Sequence, residues 1–93
     1  MNESTRIEAA ENCLSTTLEG ESVILHVDAG KYYGFNEVGT RVWEQVQEPQ
    51  TIESVCETIT DEYDVSTEQC REDVDELVTE LIEKDLVHVV DDG

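Results

Sequence analysis

A change from strand to helix takes place within residues 31–46, which read KYYGFNEVGTRVWEQV. The segment KYYGF is rich in aromatic residues, which favour the pleated, half-buried surface of a β-strand. After it, apolar residues recur at the period of one helix face, as Val38, Val42 and Val46. Asn36 is a favourable N-cap for that helix, and Pro49 ends it. The stretch therefore predicts a strand over residues 31–35 followed directly by a helix.

Two further strands are predicted before residue 31. They are CLSTTLE at 13–19 and SVILHVD at 22–28, and the second alternates its apolar residues between two faces. The turns between the segments are short, with Gly20-Glu21 in the first and DAGK at 28–31 in the second. Because short turns join antiparallel neighbours, the chain is expected to begin with a three-stranded antiparallel meander.

Two more helices and a strand are predicted after Pro49. Thr51 can cap a second helix, and Ser66 with Gln69 three residues later has the capping-box pattern that opens a third. LVHVV at 86–90 is strand-like and can pack back on the domain. The predicted fold class is α+β, a three-stranded antiparallel sheet followed by three helices in the outline of a winged helix-turn-helix. The domain is expected to span residues 12–90, between disordered tails at 1–11 and 91–93.

The chain is strongly acidic. Among its 93 residues, 24 are Asp or Glu and 5 are Lys or Arg, which gives a formal net charge of −19. Such a surface repels phosphate backbones and anionic lipid headgroups, so neither nucleic acid nor a membrane is an expected partner. Two explanations of the charge stay open, a high-salt cytoplasm and a partner rich in Lys and Arg. The acids are spread along the whole chain, which favours the halophilic explanation.

No sequence feature predicts export or membrane insertion. The chain has no run of about 18 apolar residues, and its first residues, MNESTRIEAAEN, lack the basic start and apolar run of a signal peptide. The three cysteines, Cys13, Cys56 and Cys70, are odd in number and form no CxxC motif, which predicts reduced thiols. We therefore expect a cytoplasmic protein.

The sequence carries no recognisable catalytic or cofactor motif. His26 and His88 belong to no metal-ligand spacing, and no glycine-rich phosphate loop occurs. The carboxylates are so numerous that any pair of them is uninformative. We therefore expect that the protein is not an enzyme and that it has neither a metal site nor a cofactor.

Two other functions are alternatives. A small sheet beside two consecutive helices resembles a winged helix-turn-helix DNA-binding protein, and a small regulatory subunit of a larger enzyme is also possible. DNA recognition needs basic groups on the second helix of that pair. Here that helix begins TEQCREDVDE, with one arginine and five acids. The charge of this helix therefore argues against DNA.

The third predicted strand is a candidate for binding an extended peptide. A three-stranded meander leaves edges whose free N–H and C=O groups can pair with a guest strand. Tyr32 and Tyr33 would point to opposite faces, one into the core and one into a surface groove, and Gly34 would let another backbone come close. Trp43, Val42 and Phe35 are expected in the core behind this strand.

Residues 13–90 resemble the PqqD-like family, small recognition domains for ribosomally made, post-translationally modified peptides. The resemblance is carried by KYYGFNEVGTRVWEQV and by the two helices in TIESVCETITDEYDVSTEQCREDVDELVTELIEKDLV. It is closest to the standalone members of lasso-peptide and pyrroloquinoline quinone gene clusters. The resemblance implies a winged-helix-like domain that binds the leader segment of a precursor peptide. The domain would then deliver the precursor to a separate enzyme, a radical SAM maturase or a leader peptidase with its cyclase.

The resemblance also implies a binding site between the third strand and the third helix. Arg71 would hold a leader carboxylate and Asp75 a leader Lys or Arg, whereas Val74 and Val78 are equally well explained as ordinary core. The partners implied are the precursor peptide and its modifying enzyme, and the domain can be a monomer or a dimer. The candidate peptide-binding residues are Lys31, Tyr32, Tyr33, Gly34, Phe35, Arg71, Val74, Asp75 and Val78.

Overall fold

The computed structural model describes residues 4–90 of the chain. It is an α+β fold in which a three-stranded antiparallel sheet precedes three helices, as the sequence predicted, and a second small sheet is added. The strands are β1 (Arg6–Ala9), β2 (Cys13–Leu18), β3 (Glu21–His26), β4 (Lys31–Phe35), β5 (Gln50–Thr51) and β6 (Val87–Val90). The helices are α1 (Glu37–Gln45), α2 (Ile52–Glu62) and α3 (Thr67–Glu83).

The main sheet has the strand order β2-β3-β4, so β4 lies at an edge. Its first turn consists of Glu19 and Gly20, one residue earlier than predicted, with φ angles of 53° and 82°. Two consecutive positive φ angles are typical of the two-residue type I′ hairpin turn, whose twist matches that of the flanking strands. The predicted antiparallel meander is therefore confirmed.

The second sheet has the order β5-β1-β6 and corrects the prediction of a disordered tail over residues 1–11. Within that range Arg6–Ala9 forms the central strand, and Ile7, paired with Gln50 and Val89, is fully buried. The predicted strand near residues 86–90 is confirmed as β6. The rest of the expected tails, residues 1–3 and 91–93, lies outside the described residues.

All three predicted helix caps are present. Asn36 Oδ1 accepts a hydrogen bond from the Gly39 N–H at 2.9 Å, and Thr51 Oγ1 accepts one from Ser54 at 3.1 Å. Ser66 Oγ accepts from the Gln69 N–H at 3.2 Å. Each contact satisfies one of the N–H groups that have no partner inside the first turn of a helix.

The core lies between the inner face of the main sheet, the second sheet and the helices. Its largest fully buried members include Ile7, Ile24, Ile52, Leu81 and Leu86. Helix α1 approaches β4 closely, because a Cβ at Gly39 would lie 3.1 Å from the Phe35 Cβ. Ser22 and Thr40 add a buried hydroxyl–hydroxyl hydrogen bond of 2.8 Å between β3 and α1. These contacts fix the sheet to the helix that follows β4.

Candidate peptide-binding groove

Strand β4 offers an open edge with free backbone groups. A two-residue turn closes on a hydrogen-bonded pair, here Leu18 with Glu21, and such pairs alternate along an antiparallel ladder. Residues 22, 24 and 26 of β3 therefore direct their N–H and C=O groups toward β4, where they pair with residues 35, 33 and 31. Tyr32 and Gly34 are left with their backbone groups directed away from β3. The described part of the chain places no further strand on that side.

A groove of about 620 Å³ runs between β4 and α3. From the strand and the α1 junction it is lined by Tyr32, Tyr33, Gly34, Phe35, Asn36, Val38 and Gly39. From α3 and the residue after it, it is lined by Asp73, Leu77, Glu80 and Lys84. The open edge of a strand and one face of a helix therefore border the same depression.

The two tyrosines of β4 lie on opposite faces of the sheet, as predicted. Tyr32 is 71% exposed, whereas Tyr33 is partly buried and packs against the core. Tyr33 also lies under the Lys84 ammonium, which is 5.3 Å from the centre of its ring. Trp43 and Val42 are buried, as expected, while the partly buried Phe35 packs against the core and also lines the groove.

Four of the five predicted site residues on the strand line the β4–α3 groove, whereas none of the four predicted on α3 does. Tyr32, Tyr33, Gly34 and Phe35 line the groove, and Lys31 begins the same strand. Val74 and Val78, for which core packing was the open alternative, are buried in the core.

Arg71 and Asp75 occupy another face of α3. Their closest atoms, Arg71 Nε and Asp75 Oδ2, are 3.5 Å apart, and Arg71 lines a separate pocket against α2 with Cys56 and Thr60. Successive residues of a helix are separated by 100° around the axis. Asp75 is therefore turned about 200° away from Asp73, which does line the groove. Asp73, Leu77, Glu80 and Lys84 were missed, although their i, i+4, i+7, i+11 spacing marks one face.

The charged side chains of the groove are already engaged in contacts. Lys84 Nζ lies 2.5 Å from Glu80 Oε1, one helical turn back. Gln69, expected to complete a capping box, instead extends its side chain toward Asp73, with 2.9 Å between Nε2 and Oδ1. The groove thus combines an apolar floor with an ion pair and a carboxylate hydrogen-bonded to a neutral amide.

The cysteines do not provide a nucleophile at neutral pH. Burial raises the pKa of the Cys56 thiol to about 11, and the neighbouring Cys70 contributes to that rise. Burial also raises the pKa of Cys13 and Cys70. Because the thiolate is the reactive form of cysteine, the raised pKa values keep all three thiols protonated. Among residues 4–90, no group of three or more His, Cys, Asp or Glu side chains is arranged to hold a metal ion.

Comparison with known proteins identifies the family. The family model of coenzyme PQQ synthesis protein D (PqqD) matches residues 21–87. The chain belongs to the PqqD family. The members of this family are peptide-binding proteins that do not catalyse a reaction. The match covers the open strand, all three helices and the groove between β4 and α3.

Two solved structures share the PqqD-family fold of this chain. One is TbiB1 in complex with the TbiA(beta) leader peptide, which is 27% identical, with a TM-score of 0.83 over 91% of this chain and 99% of that one. The other is lasso peptide synthetase B1 complexed with the leader peptide. It is 20% identical, with a TM-score of 0.77 over 88% of this chain and 96% of that one. No curated protein matches the chain. None of the helices in the described residues is long and apolar enough to cross a membrane.

Proposed function

We propose that this protein binds the leader segment of a ribosomally synthesised precursor peptide by strand addition to β4. The observation that carries the proposal is the open edge of β4 at the border of the β4–α3 groove. The leader adds as a fourth strand, antiparallel to β4, and pairs with the backbone groups of Tyr32 and Gly34. Its alternate side chains enter the groove against α3, as is usual when an extended peptide joins a sheet edge.

The bound precursor is then presented to a separate modifying enzyme. Because the members of the PqqD family are peptide-binding proteins that do not catalyse a reaction, the contribution of this protein is recognition. The enzyme is a radical SAM maturase or a leader peptidase that acts with a cyclase, as the family resemblance implies. The leader stays on β4 while the remainder of the precursor is free to reach that enzyme.

DNA binding is the weaker candidate for this fold. The pair α2 and α3 beside a small sheet follows the order of a winged helix-turn-helix. The exposed surface of α3, however, presents Glu72, Asp75, Glu76 and Glu83 along one side. These carboxylates repel phosphate groups, whose neutralisation supplies most non-specific affinity for DNA.

The proposal predicts a specific pattern of chemical-shift changes. The isotope-labelled protein is titrated with the leader of the precursor encoded beside its gene. The amides of residues 31–35 should shift, together with those of Asp73, Leu77 and Glu80 on the groove side of α3. The amides of β2, at the other edge of the sheet, serve as the internal control. Shifts absent from β4, or confined to β2, would contradict strand addition at this edge.

We also propose that the acidic surface is an adaptation to a high-salt cytoplasm. A formal charge of −19 on 93 residues destabilises the compact state through self-repulsion, which salt screens. The Tm should rise steeply between 0.1 M and 2 M KCl. Sucrose at equal osmolality is the control, because it favours compact states without screening charge. A Tm that does not respond to KCl, or responds equally to sucrose, would contradict the adaptation.

A further inference from the structure

The floor of the β4–α3 groove is apolar. Its apolar members, Tyr33, Phe35, Val38 and Leu77, are partly buried and pack against the core. A strand laid beside β4 directs every second side chain toward this floor, because side chains alternate between the faces of a strand. A large apolar side chain at one of those positions would bury its surface against Leu77.

The charged groups that α3 and the residue after it contribute to the groove are not equivalent. The Glu80 carboxylate is compensated by the Lys84 ammonium at 2.5 Å, and that ammonium also lies over Tyr33. Asp73 instead accepts a hydrogen bond from the Gln69 amide. Because that amide is neutral, the contact does not compensate the negative charge of Asp73. Asp73 is therefore the part of the groove that favours a cation.

The spacing of these two groups matches the repeat of a strand. Asp73 and Leu77 are four residues apart on α3, or about 6 Å along the helix axis. Two residues of an extended strand span about 6.6 Å. In a guest strand that runs along α3, side chains at positions n and n+2 therefore have the spacing of Asp73 and Leu77 and point from the same face of the guest.

We infer that the leader accepted by this groove carries a Lys or Arg that pairs with Asp73 and, two positions away, a large apolar residue that packs on Leu77. This specificity rests on the proposed function and defines the class of peptide that the site takes. The groove is apolar at its floor and negative at Asp73. An acidic leader residue opposite Asp73 is therefore disfavoured. Asp73 is thus a specificity-determining residue, separate from the backbone groups that provide the docking.

The overall charge of the protein complicates the test, because it attracts any basic peptide. Binding is therefore measured in 1 M NaCl, where the Debye length is about 3 Å and only contacts at close range persist. The probe is the fluorescein-labelled leader of the precursor encoded beside the gene, with each Lys or Arg replaced in turn by Gln. The protein variants are Asp73→Asn and, as the matched control, Glu76→Gln. Glu76→Gln removes the same charge from a position that is turned about 60° from Asp73 around α3 and lies outside the groove lining.

One leader substitution is expected to weaken binding to the unsubstituted protein about threefold, the middle of the range for an exposed ion pair, because 1 M salt weakens such a pair. Asp73→Asn should weaken binding of the unsubstituted leader by the same factor, and combining the two changes should add no further loss. Glu76→Gln should change the affinity less than twofold. If no Lys or Arg replacement in the leader weakens binding to the unsubstituted protein, the inference fails whether or not Asp73→Asn folds.

The inference is overturned if the leader binds β4 but no Lys or Arg replacement couples to Asp73. It is also overturned if Glu76→Gln weakens binding as much as Asp73→Asn. In both cases leader binding itself stands. A leader that produces no shift in β4 amides instead contradicts the proposed function, so the two failures are distinct.

Discussion

Replacing Gly34 by proline is expected to weaken leader binding at least tenfold while leaving the protein folded. The Gly34 N–H is directed to the open edge, so its loss removes no hydrogen bond to β3. Proline is tolerated on an edge strand whose N–H faces solvent. A Cβ at Gly34 meets no atom within 4 Å, so there is space for a side chain. The guest strand, however, loses one backbone hydrogen bond, worth about 0.5–1.5 kcal/mol, and meets the proline ring at the edge.

The matched control is Ser15→Pro on β2, the opposite edge of the same sheet. Ser15 lies between the hydrogen-bonded residues Leu14 and Thr16, so its backbone groups also point away from β3. Ser15→Pro should therefore cost a similar amount of stability and leave leader affinity unchanged. Affinity is measured by anisotropy and stability by thermal unfolding followed by circular dichroism. If Gly34→Pro binds as tightly as the unsubstituted protein, the leader does not pair with β4.

The strand half of the candidate site could be predicted because its signals are local. The aromatic segment, the turns on either side and the Asn36 cap all lie within a few residues of one another. Each of these features predicts an element without reference to the rest of the chain. The opposite orientation of Tyr32 and Tyr33 follows directly from the alternation of side chains along a strand.

The helix half could not be assigned from the sequence, although the helix itself was predicted correctly. Helix α3 contacts the core along a stripe that includes Cys70, Val74, Val78 and Leu81. Both sides of that stripe carry an acid and an apolar residue, Asp73 with Leu77 on one side and Asp75 with Ile82 on the other, so the two sides look alike in the sequence. Which side faces β4 depends on how α3 packs against α2 and the sheets. That packing turns Asp73 toward the groove and Asp75 away from it.

Strand β1 was missed for a related reason. Its four residues, RIEA, are too few for a convincing alternating pattern. Its partners β5 and β6 are roughly 40 and 80 residues further along the chain. A strand held by such distant pairing has no local signal, and the polar residues around it resemble a frayed terminus. The same sheet explains the short strand β5. Its second residue, Thr51, is the N-cap of α2, and both of its residues pair with β1.

Among the substitutions considered, Ile7→Ala in β1 is expected to cause the largest loss of stability. Ile7 is fully buried and packs in the core cluster. Truncating a buried isoleucine to alanine typically costs about 2–5 kcal/mol, from lost burial and from the cavity left behind. A domain of this size is stable by only about 5–15 kcal/mol. The Tm should therefore fall by roughly 10–30 °C, since 1 kcal/mol corresponds to about 4–8 °C in a small domain.

The control for Ile7→Ala is Leu18→Ala, a truncation of similar size at a side chain that is 75% exposed. Because the Leu18 side chain has few contacts to lose, the free energy of unfolding of the Leu18→Ala protein should change by no more than about 0.5 kcal/mol. Thermal and urea unfolding measure both variants, and leader affinity is measured well below the Tm. Ile7 lies outside the groove lining, so the folded Ile7→Ala protein should bind the leader as tightly as before.

If the Tm of Ile7→Ala equals that of the unsubstituted protein, β1 contributes little to the core. The segment before residue 12 then behaves as the tail that the sequence suggested. If instead it melts early but binds normally, the second sheet stabilises the domain while the β4–α3 groove alone determines recognition.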